Sequence, residues 1–168
     1  MTQSAAEENS VSAADVVGTW KLLEFKTIDA RGETIYPMGK TPKGYAMYTQ
    51  DGYVSICFMM SDRPTMDLSP EEVQDLKNLT PGLKLVKQLP KFIKATLSYF
   101  KASRNYVSYA GTYELKDNQV IHHLDVSLIP DWVNTDLIRD VKLNGNQLVL
   151  TLPVMGNVYT DLTWERVN

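Results

Sequence analysis

The sequence predicts a mainly β fold, arranged as an antiparallel barrel or sandwich. Most of the chain consists of about eight short runs rich in β-branched and aromatic residues, with turn residues between them. One stretch, residues 69–103, carries helical periodicity instead. A length of 168 residues and an apolar content of 43% suit one domain with a single core. We therefore expect one domain over residues 15–168 with a helical insertion.

The candidate strands follow one another with short links. They span residues 16–28, 44–50, 53–60, 109–115, 119–127, 136–143, 147–152 and 158–167. Asp51-Gly52 lies between two of them and predicts a tight hairpin, because glycine supplies the positive φ that such a turn needs. The Gly- and Pro-containing segment 29–44 is interpreted as a loop.

Residues 69–103 predict two helical stretches. The first begins with Ser69 as N-cap, Pro70 at the first helical position and Glu72 reaching back to the cap. The second runs to about Ser103, and Pro90 is expected to kink or divide it. Its apolar residues fit one helical face: Leu89, Phe92, Ile93, Leu97 and Phe100.

The second helical stretch is also strongly basic. It contains no acidic residue between Leu83 and Arg104, and its bases are Lys84, Lys87, Lys91, Lys94, Lys101 and Arg104. The simplest interpretation is an amphipathic insertion across the barrel, with a solvated basic face over a core-facing stripe. The functional alternatives are a lid over a cavity mouth, or contact with an anionic surface or ligand.

The N-terminal segment gives no targeting signal. Residues 1–14 are small, polar and acidic, and they lack the basic start and apolar run of a signal peptide. No stretch of the chain approaches the roughly 20 apolar residues of a membrane span. We expect a disordered tail over residues 1–14 and a cytoplasmic protein without an integral membrane segment.

Composition and motifs exclude several functional classes. The net charge of −3 argues against general affinity for nucleic acid. Cys57 is the only cysteine, which excludes an internal disulfide and a thiolate zinc site. The sequence lacks the G-x-S-x-G, P-loop and G-x-G-x-x-G motifs of common hydrolases, NTPases and dinucleotide enzymes. We therefore expect no cofactor and no metal, and leave open whether the protein is a homodimer.

The two adjacent histidines, His122 and His123, are the only histidines in the chain. Successive side chains of a strand point to opposite faces, so the pair cannot together line one pocket or form a metal site. His122 shares the apolar face with Val120, Leu124, Val126 and Leu128. His123 shares the polar face with Gln119, Asp125 and Ser127. We expect His122 inside the barrel, unless a bulge exchanges the two; it is either catalytic or a core histidine bonded to a tyrosine or the backbone.

Arg139 is the one charge on the apolar face of the next candidate strand. That face also carries Leu137, Val141 and Leu143. A charge there is unfavourable unless it is paired or solvated in a cavity. Antiparallel pairing would bring His122 and Arg139 close together inside the barrel. Histidine suits acid or base catalysis and arginine suits binding of an oxyanion, although a structural ion pair would also explain Arg139.

Several motifs resemble the lipocalin-like domain family of bacterial and fungal proteins. Gly18-Thr19-Trp20 opens the first strand and Trp164-Glu165-Arg166 ends the last, like the lipocalin G-x-W and its stacking arginine. The segments "YPMG…P.GY..YT.DGYVS" and "V.HHLDVSLIPDWVNTDLIR" extend the resemblance over residues 15–167. It implies a closed barrel of about eight strands around a small-molecule cavity, and a link to natural-product biosynthesis and cyclisation chemistry.

Two functions are carried forward from these observations. The first is a cofactor-independent biosynthetic enzyme, an isomerase, dehydratase or cyclase of Diels–Alder type, acting on an apolar oxygenated substrate. His122 would be its acid or base, and Arg139 would stabilise the anion. The second is a noncatalytic intracellular carrier of a lipid- or terpenoid-like ligand. The predicted ligand-binding residues are Tyr53, Tyr109, Tyr113, Met47, Trp132 and Phe100. Gly18, Trp20 and Arg166 are predicted to be structural.

Overall fold

The computed structural model describes residues 11–63, 65, 68–77, 83–153 and 158–167, without the side chains of 75–77, 83–92 and 153. The chain divides into two compact units. One runs to Ser61 and resumes at Val107, and the other spans Asp62–Tyr106. The first ten residues of the predicted tail lie outside the described residues.

The strands follow the sequence prediction closely. They are β1 Gly18–Ile28, β2 Thr34–Ile35, β3 Lys43–Tyr48, β4 Tyr53–Met59, β5 Tyr106–Lys116, β6 Gln119–Ser127, β7 Asp136–Asn144, β8 Gln147–Pro153 and β9 Tyr159–Arg166. The helices are α1 Ala13–Val16, α2 Pro70–Lys77 and α3 Leu83–Ser103, with a 3-10 turn at Pro130–Trp132. The two-residue strand β2 lies in the segment that was predicted to be a loop.

The strands form a closed barrel. β1 pairs antiparallel with β3, and from β3 to β9 each strand neighbours the next in the chain. β1 also pairs with β9, from Trp20 opposite Arg166 to Ile28 opposite Tyr159. This pairing joins the two ends of the sheet and removes its open edges. The predicted closed antiparallel barrel of eight strands is confirmed, with β2 as a short addition on β1.

Alternation along the strands fills the interior. On β4, Val54, Ile56 and Phe58 are buried and the residues between them are partly exposed. This is the period of two that a strand with one buried face requires. The same pattern places His122 inside, where it is fully buried beside Val120 and Leu124 on β6.

A bulge interrupts the alternation on β6. Ala110 pairs with Val126 and Gly111 pairs with Leu124, so Asp125 is the extra residue. Beyond it the faces exchange, and Val126 is 59% exposed. The predicted inward positions of Val126 and Leu128 are therefore wrong, whereas His122 lies before the bulge and keeps its predicted side.

Trp20 and Arg166 close one end of the barrel. The Trp20 ring is fully buried, and the Arg166 guanidinium lies over it at 4.1 Å from the ring centroid. Arg166 donates hydrogen bonds to the carbonyls of Val17 at 2.7 Å and Asp15 at 2.6 Å. Gly18 has a φ of +136°, and a Cβ there would meet Arg166 Nη1 at 2.7 Å. The predicted stacking of Arg166 on Trp20 is confirmed, and the structure adds a reason for glycine at position 18.

The second unit contains α2 and α3. The Ser69 amide donates to Glu72 at 2.9 Å and the Glu72 amide donates to Ser69 Oγ at 3.2 Å, which confirms the predicted capping box. α3 is one continuous helix through Pro90. Neither described helix is long and apolar enough to cross a membrane.

The apolar face predicted for α3 is not buried as expected. Ile93, Leu97 and Phe100 are between 49% and 60% exposed, and the buried residues are the alanines Ala95 and Ala102. The prediction that this stripe faces a core is therefore wrong for these three residues. The other two members of the predicted face, residues 89 and 92, lie outside the described side chains.

Candidate functional site

The inward-facing side chains of the barrel unit leave a cavity of about 210 Å³. Its walls come from strands on both sides of the closure and are largely aromatic and aliphatic, with Phe58, Leu150 and Leu162 among them. The residues with polar side-chain atoms in this lining are Tyr109, Arg139, Trp132 and Trp164. An apolar cavity with a few convergent polar groups is typical of a small-molecule site.

Arg139 reaches the cavity because of its place in the sheet. On β7 it pairs with Val120, which is fully buried, so both residues point inward. Its Nη1 donates to the carbonyl of Ile138 at 2.7 Å. Within the described ranges no carboxylate forms an ion pair with it. Burial lowers the pKa of Arg139, but an arginine starts so far above neutrality that it remains a cation. A positive charge therefore faces an otherwise apolar cavity.

His122 is held between two phenols. Its Nε2 lies 2.9 Å from the Tyr48 hydroxyl and its Nδ1 lies 3.2 Å from the Tyr109 hydroxyl. Burial, with a smaller effect of Arg139, lowers the pKa of His122 to about 3. The imidazole is therefore neutral at physiological pH and carries one N–H. Because both nitrogens are occupied, this histidine has no lone pair left for a metal.

Both tyrosines beside His122 are neutral phenols. Burial raises the pKa of Tyr109 to about 12, and burial likewise raises the pKa of Tyr48 well above its usual value. Both phenols therefore keep their hydrogens near neutral pH. Tyr109 also lines the cavity, whereas Tyr48 and His122 lie behind it. Of these three hydrogen-bonded residues, Tyr109 is thus the one that a ligand would touch.

The structure brings together only part of the predicted site. Tyr109, Trp132 and Arg139 line the cavity, and the Tyr109 and Trp132 rings pack edge to face with centroids 6.2 Å apart. His122 is one residue removed from the cavity wall and contacts it through Tyr109.

Four other predicted ligand-binding residues lie elsewhere. Met47 and Tyr53 are 42% and 54% exposed on a groove outside the barrel, because alternation directs their neighbours Tyr48 and Val54 inward. Tyr113 does not line the cavity; its hydroxyl donates to the Thr49 carbonyl at 3.0 Å. Phe100 is 60% exposed on α3.

Two site residues were not assigned from the sequence. Tyr48 is not among the predicted ligand-binding residues, although it lies on the same face of its strand as Ala46 and both are buried. Trp164 was noted only as part of the last-strand motif, yet it is fully buried and lines the cavity. The signal for both was the same period of two that assigned His122.

His123 lies on the outer face, as its polar neighbours predict. Its Nδ1 is 2.7 Å from Asp136 and its Nε2 is 3.8 Å from Glu114, and its side chain is 40% exposed. It therefore has carboxylate neighbours and no contact with the cavity wall.

A closed antiparallel barrel around such a cavity defines a small-molecule-binding type of β-barrel. The chain belongs to the lipocalin-like domain family, whose model matches residues 17–82 and 86–167. The family predicted from the sequence motifs is confirmed. No curated protein sequence matches the chain.

Among solved structures, the chain is similar to a lipocalin-like protein from Bacteroides uniformis at 14% identity. That alignment covers 91% of this chain and 99% of the other, with a TM-score of 0.44. The REP1-NXSQ fatty acid transporter is 15% identical over 92% and 98% of the two chains, with a TM-score of 0.40. The fluorescent protein UnaG is 13% identical over 93% and 100%, with a TM-score of 0.37.

Proposed function

We propose that this protein binds a small apolar molecule bearing an acidic or carbonyl oxygen inside the barrel. The observation that carries the proposal is Arg139, a cation that lines an apolar cavity without a carboxylate partner among the described residues. Partial desolvation of a charge is unfavourable unless something pairs with it. A ligand carboxylate or enolate would supply the missing charge.

Tyr109 adds a second donor beside this cation. Its hydroxyl is positioned by His122 and keeps its hydrogen at neutral pH. A hydrogen bond to a charged group contributes about 1.5–3 kcal/mol in proteins. Together the two groups would hold the oxygen-bearing end of the ligand, whereas burial of its apolar body would contribute about 25 cal/mol per Å².

The cavity size limits the ligand. Drug-sized ligands occupy pockets of about 300–1,000 Å³, and this cavity has about 210 Å³. We therefore propose a ligand about the size of a medium-chain acid, which makes octanoate a suitable probe. In this form the protein is a carrier, the second of the two functions predicted from the sequence.

Calorimetric titration with octanoate and with 1-octanol tests the role of Arg139. The wild-type protein should bind the acid more tightly than the alcohol, because only the acid pairs with the guanidinium. Arg139→Met keeps most of the side-chain length and removes the charge. It should weaken octanoate binding roughly 10- to 100-fold and leave octanol binding nearly unchanged.

Arg31→Met is the matched control, because Arg31 lies in an exposed turn and its side chain is 75% exposed. It should bind both probes as the wild type does. Equal octanoate affinity in the wild type and Arg139→Met would contradict the proposal, and so would the absence of binding of either probe.

Catalysis in the same cavity is a second candidate, favoured by the Tyr48–His122–Tyr109 chain. A neutral phenol backed by an imidazole, next to a cation, would polarise a carbonyl and stabilise the enolate that forms when solvent takes the α-proton. This is what an isomerase or a cyclase of an oxygenated apolar substrate requires. With a pKa of about 3, His122 would act as a positioning residue, and Tyr109 would make the contact with the substrate.

Deuterium exchange next to the ketone of 2-octanone, whose single oxygen would lie at Tyr109 and Arg139, followed by NMR in D₂O, tests this candidate. The wild type should accelerate exchange over buffer, and Tyr109→Phe should lose the acceleration. Tyr113→Phe is the control, because the Tyr113 hydroxyl bonds to the Thr49 carbonyl outside the cavity. Exchange no faster with the wild type than in buffer would contradict a proton-transfer function and leave the carrier function standing.

A further inference from the structure

We infer that the cavity has a second polar contact point, the indole N–H of Trp164, and that the natural ligand carries a second hydrogen-bond acceptor at the end remote from its acidic oxygen. This inference rests on the proposed function and narrows it. The ligand class becomes an apolar acid with a distal ketone, ether, ester or hydroxyl oxygen, in place of a plain alkyl acid.

The Trp164 indole N–H is an orphaned donor. Its Nε1 is buried, and no hydrogen-bond acceptor within the described part of the chain reaches it. The residue is fully buried and belongs to the cavity wall. Buried indole N–H groups normally have a partner, and leaving one without a partner is unfavourable. Because Trp164 belongs to the cavity wall, an occupant of the cavity that packs against this indole can supply the acceptor that the described residues do not.

Trp20 shows that the same barrel satisfies an indole where no ligand is needed. It is also fully buried, at the closed end, and its Nε1 donates to the Val16 carbonyl at 2.8 Å. Trp164 instead has the Phe58 ring beside it, with centroids 6.3 Å apart and planes at 75°. An aromatic ring is a weaker hydrogen-bond acceptor for an indole N–H than an oxygen atom. The difference between the two indoles coincides with the cavity, which Trp164 lines and Trp20 does not.

The sheet separates the two polar points. Asp140 pairs with Thr151, so Arg139, the residue before it on the antiparallel strand, lies at the level of Leu152; Trp164 pairs with Leu148, four residues away along β8. At about 3.3 Å per residue, the backbones of Arg139 and Trp164 are roughly 13 Å apart along the strand direction. Leu150 and Leu162 lie between these levels and give the cavity an apolar middle. A ligand that satisfies both ends therefore has two oxygens separated by a short apolar segment.

NMR of protein labelled with ¹⁵N-tryptophan tests the inference without a variant at the buried site. The three indole signals, from Trp20, Trp132 and Trp164, are assigned by through-bond correlation to their backbones. Octanoate and 7-oxooctanoate are then titrated, since the second differs by one ketone oxygen near its far end. The Trp164 indole proton should shift downfield with 7-oxooctanoate and much less with octanoate, and the Trp20 signal should not respond differently to the two acids.

Affinity gives an independent measurement. 7-Oxooctanoate should bind the wild type about 5- to 10-fold more tightly than octanoate, as expected for one added hydrogen bond. Replacement of Trp164 by 3-benzothienylalanine exchanges the N–H for sulfur at nearly constant shape. It should abolish this difference, so that the two acids bind the variant with equal affinity.

Two results would overturn the inference. One is an unchanged Trp164 signal with 7-oxooctanoate while octanoate still binds through Arg139, which would leave the proposed function intact. The other is a Trp164 indole that stays bonded to a resident water in the complex, seen as a persistent water cross-peak. Failure of both acids to bind the wild type would instead remove the proposed function together with the inference.

Discussion

At the residue scale, the central feature is the set of polar hydrogens that His122 and its two tyrosine partners share. The neutral imidazole and two phenols hold three polar hydrogens, and the two bonds to Tyr48 and Tyr109 use two of them. A proton on Nδ1 leaves the Tyr109 hydrogen free for the cavity. A proton on Nε2 would leave the Tyr48 hydrogen without a partner in the core, where Tyr48 is 2% exposed. Burial without a partner is unfavourable, so the first tautomer is preferred.

The tautomer is directly measurable. We expect His122 to carry its proton on Nδ1, with Nε2 accepting from Tyr48, because this arrangement leaves no hydrogen in the core without an acceptor. Long-range ¹H–¹⁵N correlation of ¹⁵N-histidine protein distinguishes the two ring nitrogens. The His122→Gln variant identifies which of the two histidine signals disappears. A proton on Nε2 would show that Tyr109 donates to His122 and offers the cavity only an acceptor.

His122 should also make stability depend on pH. Its pKa is about 3 in the folded chain and about 6.5 when unfolded, so between these values the unfolded chain binds the extra proton. Stability is therefore lost as the pH falls through this window. Between pH 6.5 and 5, where few carboxylates titrate, the free energy of unfolding should drop by about 1.5 kcal/mol from this group.

Urea unfolding at several pH values measures this drop. His122→Gln should remove it, and His123→Asn, which changes the neighbouring exposed histidine, should retain it. Equal pH dependence in His122→Gln and wild type would show that another group is responsible.

At the element scale, strand alternation in the sequence predicted which side chains point inward. The contacts that depend on how the strands pair could not be predicted in this way. Arg139 stood out as one charge on an apolar face, and His122 as the histidine of the inward parity, and both lie where expected. The bulge at Asp125 could not be foreseen, because Val126 and Leu128 continue the apolar pattern in the sequence while the ladder shifts beneath them. Likewise, Tyr48 and His122 are 74 residues apart, and only barrel closure brings them together.

Substitution of Gly111 tests whether the bulge on β6 requires close approach of the two strands. A Cβ at this position would lie only 1.9 Å from the His123 carbonyl oxygen, so the two strands could not keep their spacing. Gly111→Ala should lower the free energy of unfolding by about 1–3 kcal/mol, the range found for overpacking. Thr112→Ala, next in the same strand, is the control. It should lower the free energy of unfolding by less than about 1 kcal/mol, because the Thr112 side chain is partly exposed. A Gly111→Ala protein as stable as the control would contradict this account of the bulge.

At the scale of the whole barrel, one end is fastened by Arg166. It joins the last strand to the segment before β1 through two carbonyls and covers the Trp20 ring. The cavity lies in the interior of the barrel that this contact helps to close. The family motif was therefore readable from the sequence, because it consists of local residue types, whereas the size of the cavity was not.

Replacement of Arg166 should affect stability but not recognition. Arg166→Met should lower the free energy of unfolding by about 2–4 kcal/mol, because two charge-assisted hydrogen bonds and the ring contact are lost. Arg166→Lys should recover part of this loss, since it keeps the charge without the planar fork. Octanoate affinity under native conditions should stay within about twofold of wild type. Unchanged thermal stability in Arg166→Met would show that the barrel end is held by other contacts.

The central claim is that the barrel interior holds an acidic oxygen on Arg139 and Tyr109. A crystal structure of the protein with octanoate tests it most directly. We predict the carboxylate within hydrogen-bond distance of the Arg139 guanidinium and the Tyr109 hydroxyl, with the alkyl chain extending towards Trp164. An octanoate bound outside the barrel, for example in the groove beside Met47 and Tyr53, with Arg139 left unpaired, would contradict it.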